Sequence, residues 1–372
     1  MKVSIITVLN TVNYGSALQT FATQRFFEKM GIEIEFVDYW RKDQTTNARI
    51  HRIITDKKKT LKQWVKKPLR DILEIKSIKK SEDIFRKFIV EKIHLTSKTY
   101  FSYEDLVRDC PQADVYATGS DQMWNSGWNQ GIEKSFFLEY APENKKRIAF
   151  ATSIGKTRFE KEEADEIIPL IKKYDLVTLR EQSAVDLLKE YGIDGQLVLD
   201  PTLTLKKEDW FGILPQNKRT KPYLLVYQLH MSHNNADFTR AVQEIAARKG
   251  LEIVRVVYSY SDRKVGERVV LPGVFEFLSL IRGASFIVTD SFHGTAFSIN
   301  FNKQFAVIYP EFFGTRMDNI LRLTNLQSRR YQSNDSIDKW DTEIVYDEAN
   351  RILEERRSRV EDVFKKYFEV TN

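Results

Sequence analysis

Residues 290–295, Asp-Ser-Phe-His-Gly-Thr, combine side chains suited to proton transfer with a backbone suited to binding anions. They follow Phe286–Thr289, an apolar and β-branched run that predicts a buried strand, and precede an apolar run that predicts a helix. Ligands of open α/β sheets bind where a strand ends and a helix begins. Thr295 is placed to cap this helix, whose amino terminus favours an anion, and His293 can donate a proton there. The alternative is a surface histidine in an ordinary turn.

A second turn with similar properties lies near the amino terminus, at residues 10–16. It joins a predicted strand to a predicted helix, and Gly15 lets the backbone approach a ligand closely. The helix start behind Gly15 again suits a phosphate or a carboxylate. The turn matches neither G-x-G-x-x-G nor a P-loop, so neither a dinucleotide nor a nucleoside triphosphate is indicated.

A polar cluster follows the predicted strand that ends at Ala117. It contains Ser120, Asp121, Gln122, Trp124 and Asn125. Carboxylates and amides bind sugar hydroxyls, and an indole can stack on the apolar face of a sugar, so the cluster is typical of a polyol-binding surface. An equally supported alternative is a well-bonded turn around a buried tryptophan.

Arg180 follows a further predicted strand. Its guanidinium is either a bidentate clamp for a carboxylate or phosphate, or the partner of Glu181 or another acid. The sequence alone favours the ion pair.

The elements that position these residues alternate between strand and helix in both halves of the chain. At 372 residues the chain is too long for one ordinary core. We therefore expect an α/β protein of two doubly wound, Rossmann-like domains facing a cleft. The expected divisions are an amino-terminal domain at 1–213 with a basic helical insertion at about 42–100, a carboxyl-terminal domain at 214–335, and a closing amphipathic helix within 336–372 that packs back on the first domain.

Composition limits the class of protein further. Hydrophobic residues make up 42% of the chain, which indicates a packed core, and the single cysteine excludes an internal disulfide framework and suits a reducing compartment. The segment after Met1 predicts a strand rather than a signal peptide, and no run approaches the roughly 18–20 apolar residues of a membrane span. We expect a soluble cytoplasmic protein. His230 and His233 have no nearby cysteine or carboxylate to complete a zinc set.

Positive charge is concentrated between residues 49 and 80. Twelve Lys and Arg face three acids there, an excess of 12 − 3 = +9 within a net charge of +6. Apolar residues at loosely helical spacing make this segment a candidate amphipathic helix on anionic lipid, and a solvated basic face is the alternative. Nucleic acid is disfavoured because no recognition motif accompanies the charge.

Six short segments, taken together, resemble the polysaccharide pyruvyl transferase family and occur in the family's order. They are residues 13–15 (Asn-Tyr-Gly), 119–125, 153–155 (Ser-Ile-Gly), 179–181 (Leu-Arg-Glu), 199–202 (Leu-Asp-Pro-Thr) and 290–298. Residues 42–100 and the last forty residues carry little of the resemblance.

The resemblance implies a GT-B-like fold and transfer of pyruvate from phosphoenolpyruvate to a sugar, commonly as a cyclic ketal, with release of phosphate. Protonating the enol carbon needs a general acid, and the attacking hydroxyl needs a base. His293 matches the family histidine, and Asp121 is the candidate base or acceptor ligand. Phosphoenolpyruvate is expected as co-substrate, with no cofactor and no metal, and the acceptor as a cell-surface polysaccharide or its lipid-linked precursor.

The same resemblance suggests two sets of binding residues. The donor set is Asn13, Tyr14, Gly15, Arg180, Ser291, Gly294, Thr295 and Arg316. The acceptor set is Ser120, Gln122, Trp124 and Asn125. One position departs from the pattern, because many relatives have arginine where this chain has Ser291. Arg316 and Arg180 are the candidates to supply the missing charge.

Two other functions stay open on the sequence. One is a GT-B glycosyltransferase that uses a nucleotide sugar. The other is a non-catalytic carbohydrate-binding relative, which the missing arginine at Ser291 favours.

Overall fold

The computed structural model describes residues 1–41, 45–55, 61–230, 235–262, 264–310 and 314–371. The strands are β1 (Lys2–Ile6), β2 (Glu33–Tyr39), β3 (Leu95–Tyr100), β4 (Val115–Thr118), β5 (Lys146–Thr152), β6 (Leu176–Leu179), β7 (Gly195–Leu197), β8 (Tyr223–Tyr227), β9 (Glu252–Val257), β10 (Glu267–Val270), β11 (Phe286–Thr289) and β12 (Phe305–Val307). The helices are α1 (Tyr14–Lys29), α2 (Thr46–Thr55), α3 (Leu61–Lys92), α4 (Tyr103–Arg108), α5 (Ser126–Asn129), α6 (Lys161–Ile171), α7 (Gln182–Glu190), α8 (Pro201–Thr204), α9 (Lys207–Phe211), α10 (Asn235–Lys249), α11 (Val274–Gly283), α12 (Phe292–Asn300), α13 (Gly314–Leu323) and α14 (Asp347–Thr371).

The chain forms two compact units. Unit 1 contains residues 1–42, 89–205 and 353–372, and unit 2 contains residues 43–88 and 206–352. The division falls at 205/206 rather than at the predicted 213/214, because α9 packs on unit 2. Trp210 meets Phe297 edge to face at 5.2 Å between ring centroids, and Phe211 meets Phe301 at 4.9 Å.

Unit 1 is built on a parallel sheet with strand order β3-β2-β1-β4-β5-β6-β7. The chain runs outward from β1 in one direction and from β4 in the other, so the order reverses between β1 and β4. A crevice forms at the carboxyl ends of the strands where such a reversal occurs. In this unit the reversal places residues 7–13, after β1, beside residues 119–125, after β4.

Unit 2 repeats this arrangement with the parallel order β10-β9-β8-β11-β12. The reversal lies between β8 and β11, whose register pairs Thr289 with Tyr227. It brings residues 228–230 beside Asp290 and Ser291. Both units are therefore parallel-sheet α/β domains, and the predicted fold class is confirmed.

The basic insertion is divided between the two units. Its last residues form β3, the edge strand of the first sheet, whereas most of α3 belongs to unit 2. Lys80 donates to the carbonyl of Val270 at 2.7 Å, and Phe88 packs edge to face on Phe275 at 5.1 Å. The insertion is thus part of the second core rather than an appendage of the first.

The closing helix α14 ends in unit 1. Phe364 packs against Phe26, Phe27 and Phe150 with ring centroids 5.1–5.8 Å apart. Arg357 donates to the carbonyl of Leu203 at 2.8 Å. Among the described residues, no helix is both long and apolar enough to cross a membrane.

Candidate active site

The start of α1 at the unit 1 reversal is capped by its own sequence. The Asn13 side chain accepts from the backbone N–H of Gly15 at 2.8 Å and of Ser16 at 3.4 Å. Tyr14 is fully buried, so its side chain presents no surface to a ligand. The predicted donor-binding roles of Tyr14 and of the N–H groups near Gly15 therefore need correction. The Tyr14 side chain lies in the core, and the N–H groups of Gly15 and Ser16 already donate to Asn13.

Asp121 joins the two loops that meet at this reversal. Its Oδ2 accepts from the Ser16 hydroxyl at 2.6 Å, and its Oδ1 accepts from the Gln122 N–H at 2.9 Å. The residue has φ +74°. Two residues earlier, Gly119 is required because a Cβ there would lie 2.3 Å from the Phe150 carbonyl oxygen. Asp121 keeps 14% of its side chain exposed, so the carboxylate can still meet a ligand.

Arg180 contacts Asp121, and its side chain is only 1% exposed. Its guanidinium donates to Asp200 at 2.7 Å and to Asp121 at 3.2 Å, and its Nε lies 3.5 Å from Glu181. Burial disfavours the charged form, but the carboxylates of Asp200, Asp121 and Glu181 outweigh burial and raise the pKa of Arg180 above its ordinary value. The interpretation as an ion pair is thus the one that the structure supports, and the predicted clamp for a donor is corrected.

The predicted acceptor set lies mostly inside the protein. Ser120 is fully buried and donates to the carbonyl of Ala151 at 3.1 Å. Gln122 and Asn125 bond to each other at 2.6 Å, and both are buried. These side chains shape the loop that carries Asp121 rather than line a surface.

Trp124 is also part of the core. It is 1% exposed, stacks on Phe137 at 5.9 Å and donates its indole N–H to the carbonyl of Phe136 at 3.3 Å. The predicted stacking of a sugar on Trp124 is wrong, because neither the ring nor its polar atom faces solvent. Trp128, which the sequence argument overlooked, is 51% exposed on α5 at the same carboxyl edge of the sheet. The only sequence signal for it was a second tryptophan four residues later.

In unit 2 the carboxylate at the reversal is Asp290. Its two oxygens accept from the backbone N–H groups of Leu229 at 2.6 Å and His230 at 3.0 Å. Burial raises the pKa of Asp290 to about 6, although these two hydrogen bonds and the charge of Lys264 act in the opposite direction. Asp290 therefore holds the loop after β8 against the loop after β11.

The helix α12 begins at Phe292, three residues earlier than predicted. Ser291 is its N-cap and accepts from the Gly294 N–H at 3.2 Å, whereas Thr295 lies within the first turns and donates to the Ser291 carbonyl at 2.9 Å. Gly294 fits because a Cβ there would lie 2.4 Å from the Thr289 hydroxyl. The predicted capping role of Thr295 is therefore wrong, and Ser291 has a structural role in place of the family arginine.

His293 lies in the first turn of α12 and is 6% exposed. Its ring meets Phe292 edge to face at 5.1 Å, and the guanidinium of Arg316 lies 5.7 Å from the same phenyl ring. Unit 2 thus brings Ser291, His293 and Arg316 to one helix start, and their role in binding a donor stays a prediction. Among the described residues, no group of three or more histidine, cysteine or acidic side chains is arranged to hold a metal ion.

A family model described as "Polysaccharide pyruvyl transferase" matches residues 13–311. The chain belongs to the polysaccharide pyruvyl transferase family. The match includes Asp121, Arg180, Asp290 and His293. Membership in this family supports polysaccharide pyruvylation as the general activity. Comparison with curated proteins gives no match.

Solved structures share the fold of this family member at low identity. A putative UDP-N-acetylglucosamine 2-epimerase from Listeria monocytogenes has a TM-score of 0.55 and 12% identity, over 100% of this chain and 97% of that one. S. aureus MnaA, solved with UDP, has a TM-score of 0.53 and 10% identity, over 99% and 96% of the two chains. At these identities the similarity establishes the fold alone, which is GT-B-like as predicted.

Proposed function

We propose that the protein transfers pyruvate from phosphoenolpyruvate to two hydroxyls of a sugar in a cell-surface polysaccharide or its lipid-linked precursor. The observation that carries the proposal is the family match, which extends through both units. The product is a cyclic ketal, and inorganic phosphate is released. No resident cofactor is proposed.

The proposed general acid for the donor is His293. His293 gives a proton to the methylene carbon of phosphoenolpyruvate, which becomes a methyl group and leaves an oxocarbenium-like carbon. The start of α12 and Arg316 stabilise the anionic groups of the donor, because a helix amino terminus and a guanidinium both favour negative charge.

The proposed base for the acceptor is Asp121. Asp121 accepts the proton of the first sugar hydroxyl as its oxygen bonds to the electron-poor carbon. Phosphate then leaves with the electron pair of the C–O bond that joined it to this carbon. The second hydroxyl bonds to the same carbon and releases its proton. Asp121 suits this role because its carboxylate is partly exposed and is fixed by Ser16 and Arg180.

The direct test is incubation of the protein with phosphoenolpyruvate and a panel of glycosides. We expect phosphate release coupled to an increase in glycoside mass equal to pyruvic acid less water. Phosphate release without a modified glycoside, or no reaction with any acceptor that binds, would contradict the ketal-forming activity.

The structural similarity to S. aureus MnaA, which was solved with UDP, favours one second candidate, a glycosyltransferase that uses a nucleotide sugar. A thermal-shift comparison separates the candidates, because only a ligand that binds the folded state raises its melting temperature. Stabilisation by phosphoenolpyruvate supports the proposed donor. Stabilisation by UDP- or GDP-sugars alone would replace it with the glycosyltransferase.

We further propose peripheral contact between unit 2 and an anionic membrane, where a lipid-linked acceptor would be presented. Ile54 on α2 and Leu69 and Ile72 on α3 are 58%, 68% and 62% exposed within the basic segment. Flotation with anionic but not zwitterionic vesicles is expected, and it should weaken in the Leu69→Ser/Ile72→Ser variant. Val345→Ser, which changes an apolar residue that is 76% exposed elsewhere in unit 2, is the control.

A further inference from the structure

Two cations meet at the carboxyl edge of the unit 2 sheet, at positions that the sequence argument did not single out. Arg255 belongs to β9 and is paired in register with Val226 of β8. Its guanidinium donates to the Gln228 side-chain oxygen at 3.3 Å, and Lys264 donates to the same oxygen at 3.0 Å. One amide oxygen therefore holds both positive groups together.

The charge of Arg255 is buried without an ion pair. The residue is 3% exposed, and its hydrogen bonds go to neutral oxygens, those of Val265 at 3.2 Å and Gln228. Within the described ranges of the chain, no carboxylate lies at ion-pair distance from this guanidinium. A buried cation that is solvated only by neutral dipoles is unfavourable unless an anion joins it.

The ionisation behaviour of the pair agrees with this geometry. Burial lowers the pKa of Arg255, and burial together with the charge of Arg255 lowers the pKa of Lys264, although Asp262 and Asp290 oppose both shifts. Arg180 in unit 1 shows the opposite behaviour, since three carboxylates raise its pKa. For both cations of unit 2, burial thus outweighs the nearby carboxylates of Asp262 and Asp290.

The loop that carries Lys264 is held in position. Arg268 donates to the carbonyl of Asp262 at 2.6 Å, and the Asp262 carboxylate accepts from the Lys264 N–H at 2.9 Å. Upstream, Ser259 donates to Glu74 of α3 at 2.8 Å, and the Tyr260 N–H donates to Ser77 at 3.0 Å. The insertion therefore anchors the loop, so the cation is pre-organised before any ligand arrives.

The position of the pair is also that of a ligand site. Gln228 directly follows β8, the central strand at which the order of the sheet reverses, and the next two residues are bonded to Asp290. Ligands of parallel α/β sheets bind at this edge. A guanidinium and an ammonium together suit a group with several anionic oxygens.

We propose that Arg255 and Lys264 form a binding site for a phosphate- or carboxylate-bearing ligand. Building on the proposed function, we take this ligand to be phosphoenolpyruvate. The pair then supplies the cationic charge that Ser291 lacks.

The test measures the affinity of the full chain for phosphoenolpyruvate and for inorganic phosphate by calorimetry. Lys264→Gln removes one cation at a half-buried position, and Arg255→Lys keeps the charge but removes the forked donor geometry. We expect each to weaken binding by about tenfold to a hundredfold. Lys264→Arg should retain most of the affinity. Lys221→Gln, at the opposite end of β8, is the matched control and should bind like the original chain.

The outcomes separate the site from the proposed reaction. Equal affinity for both anions in Lys264→Gln, Arg255→Lys and the control would overturn the site. Lys264-dependent binding of phosphate without binding of phosphoenolpyruvate would support the anion site and refute the proposed donor. Failure of the original chain to bind either anion would refute both.

Discussion

The two sheets reverse strand order in the same way, but the carboxylates at the two reversals lie in different electrostatic surroundings. In unit 1, Asp121 shares the guanidinium of Arg180 with Asp200 and Glu181, so carboxylates outnumber the cation. In unit 2, Asp290 bonds to backbone N–H groups, and the two carboxylates Asp290 and Asp262 are matched in number by the cations Arg255 and Lys264. Sheet topology thus places both carboxylates, whereas the neighbouring side chains give Asp121 an excess of acids and Asp290 a balance of acids and cations.

The largest expected effect on the reaction comes from His293→Ala. Loss of a general acid typically lowers turnover by a factor of about 10²–10⁴, and the affinity for phosphoenolpyruvate should change little because the anion-binding groups remain. Phosphate release in the presence of an acceptor measures turnover. His94→Ala, an exposed histidine of unit 1, is the control. Undiminished turnover in His293→Ala would show that another group donates the proton.

Replacing Arg180 or Arg255 with methionine tests the electrostatic difference between the two sites through stability. Arg180→Met leaves three carboxylates without their cation, so we expect the free energy of unfolding to fall by about 3–5 kcal/mol. Arg255→Met removes a cation that has no ion pair among the described residues. In the absence of added anions, we therefore expect a clearly smaller decrease in the free energy of unfolding than in Arg180→Met. Urea unfolding followed by fluorescence and circular dichroism measures both. Equal losses would remove the distinction between the two sites.

The buried carboxylate of unit 2 should give a measurable dependence of stability on pH. Because the pKa of Asp290 is raised to about 6, the folded state holds its proton more tightly than the unfolded chain. Its contribution to the free energy of unfolding therefore falls as pH rises from about 4 to about 6, by roughly 2–3 kcal/mol, and stays low above that range. The difference between the original chain and Asp290→Asn should follow this curve. A difference that is constant with pH would contradict it.

The smallest expected effect concerns the exposed indole of unit 1. If Trp128 stacks on the acceptor, Trp128→Ala should raise KM for the acceptor several-fold, corresponding to roughly 0.5–1.5 kcal/mol, and leave kcat nearly unchanged. Initial rates over a range of acceptor concentrations measure both constants. Val107→Ala changes another exposed apolar residue of unit 1 and is the control. An unchanged KM would exclude Trp128 from the acceptor site.

Several elements were predictable because their local signals agree. The apolar runs at β8 and β11 indicated strands, and the fold class and the family were both inferred correctly. The start of α12 was not predicted correctly, because Ser291 and Thr295 are both residue types that favour the N-cap position. The choice between them depends on whether the helix can approach β11 at Gly294, where a Cβ would meet Thr289.

Side-chain exposure was the least predictable property. Trp124 and Trp128 are four residues apart, yet one packs on Phe137 and the other is half exposed. Nothing local distinguishes them, because the loop path that follows Asp121 sets their directions. Arg255 was overlooked for a related reason, since an arginine within an apolar strand gives no periodic signal.

The sequence by itself determined the alternation of strands and helices, the turns that carry Asp121 and His293, and membership in the polysaccharide pyruvyl transferase family. These depend on local periodicity, on turn chemistry and on the order of short motifs. Only the tertiary structure decided that Arg180 is an internal ion pair and that Arg255 and Lys264 converge on Gln228. The physical reason is that the electrostatic state of a side chain depends on burial and on partners distant in sequence, and folding alone brings these together.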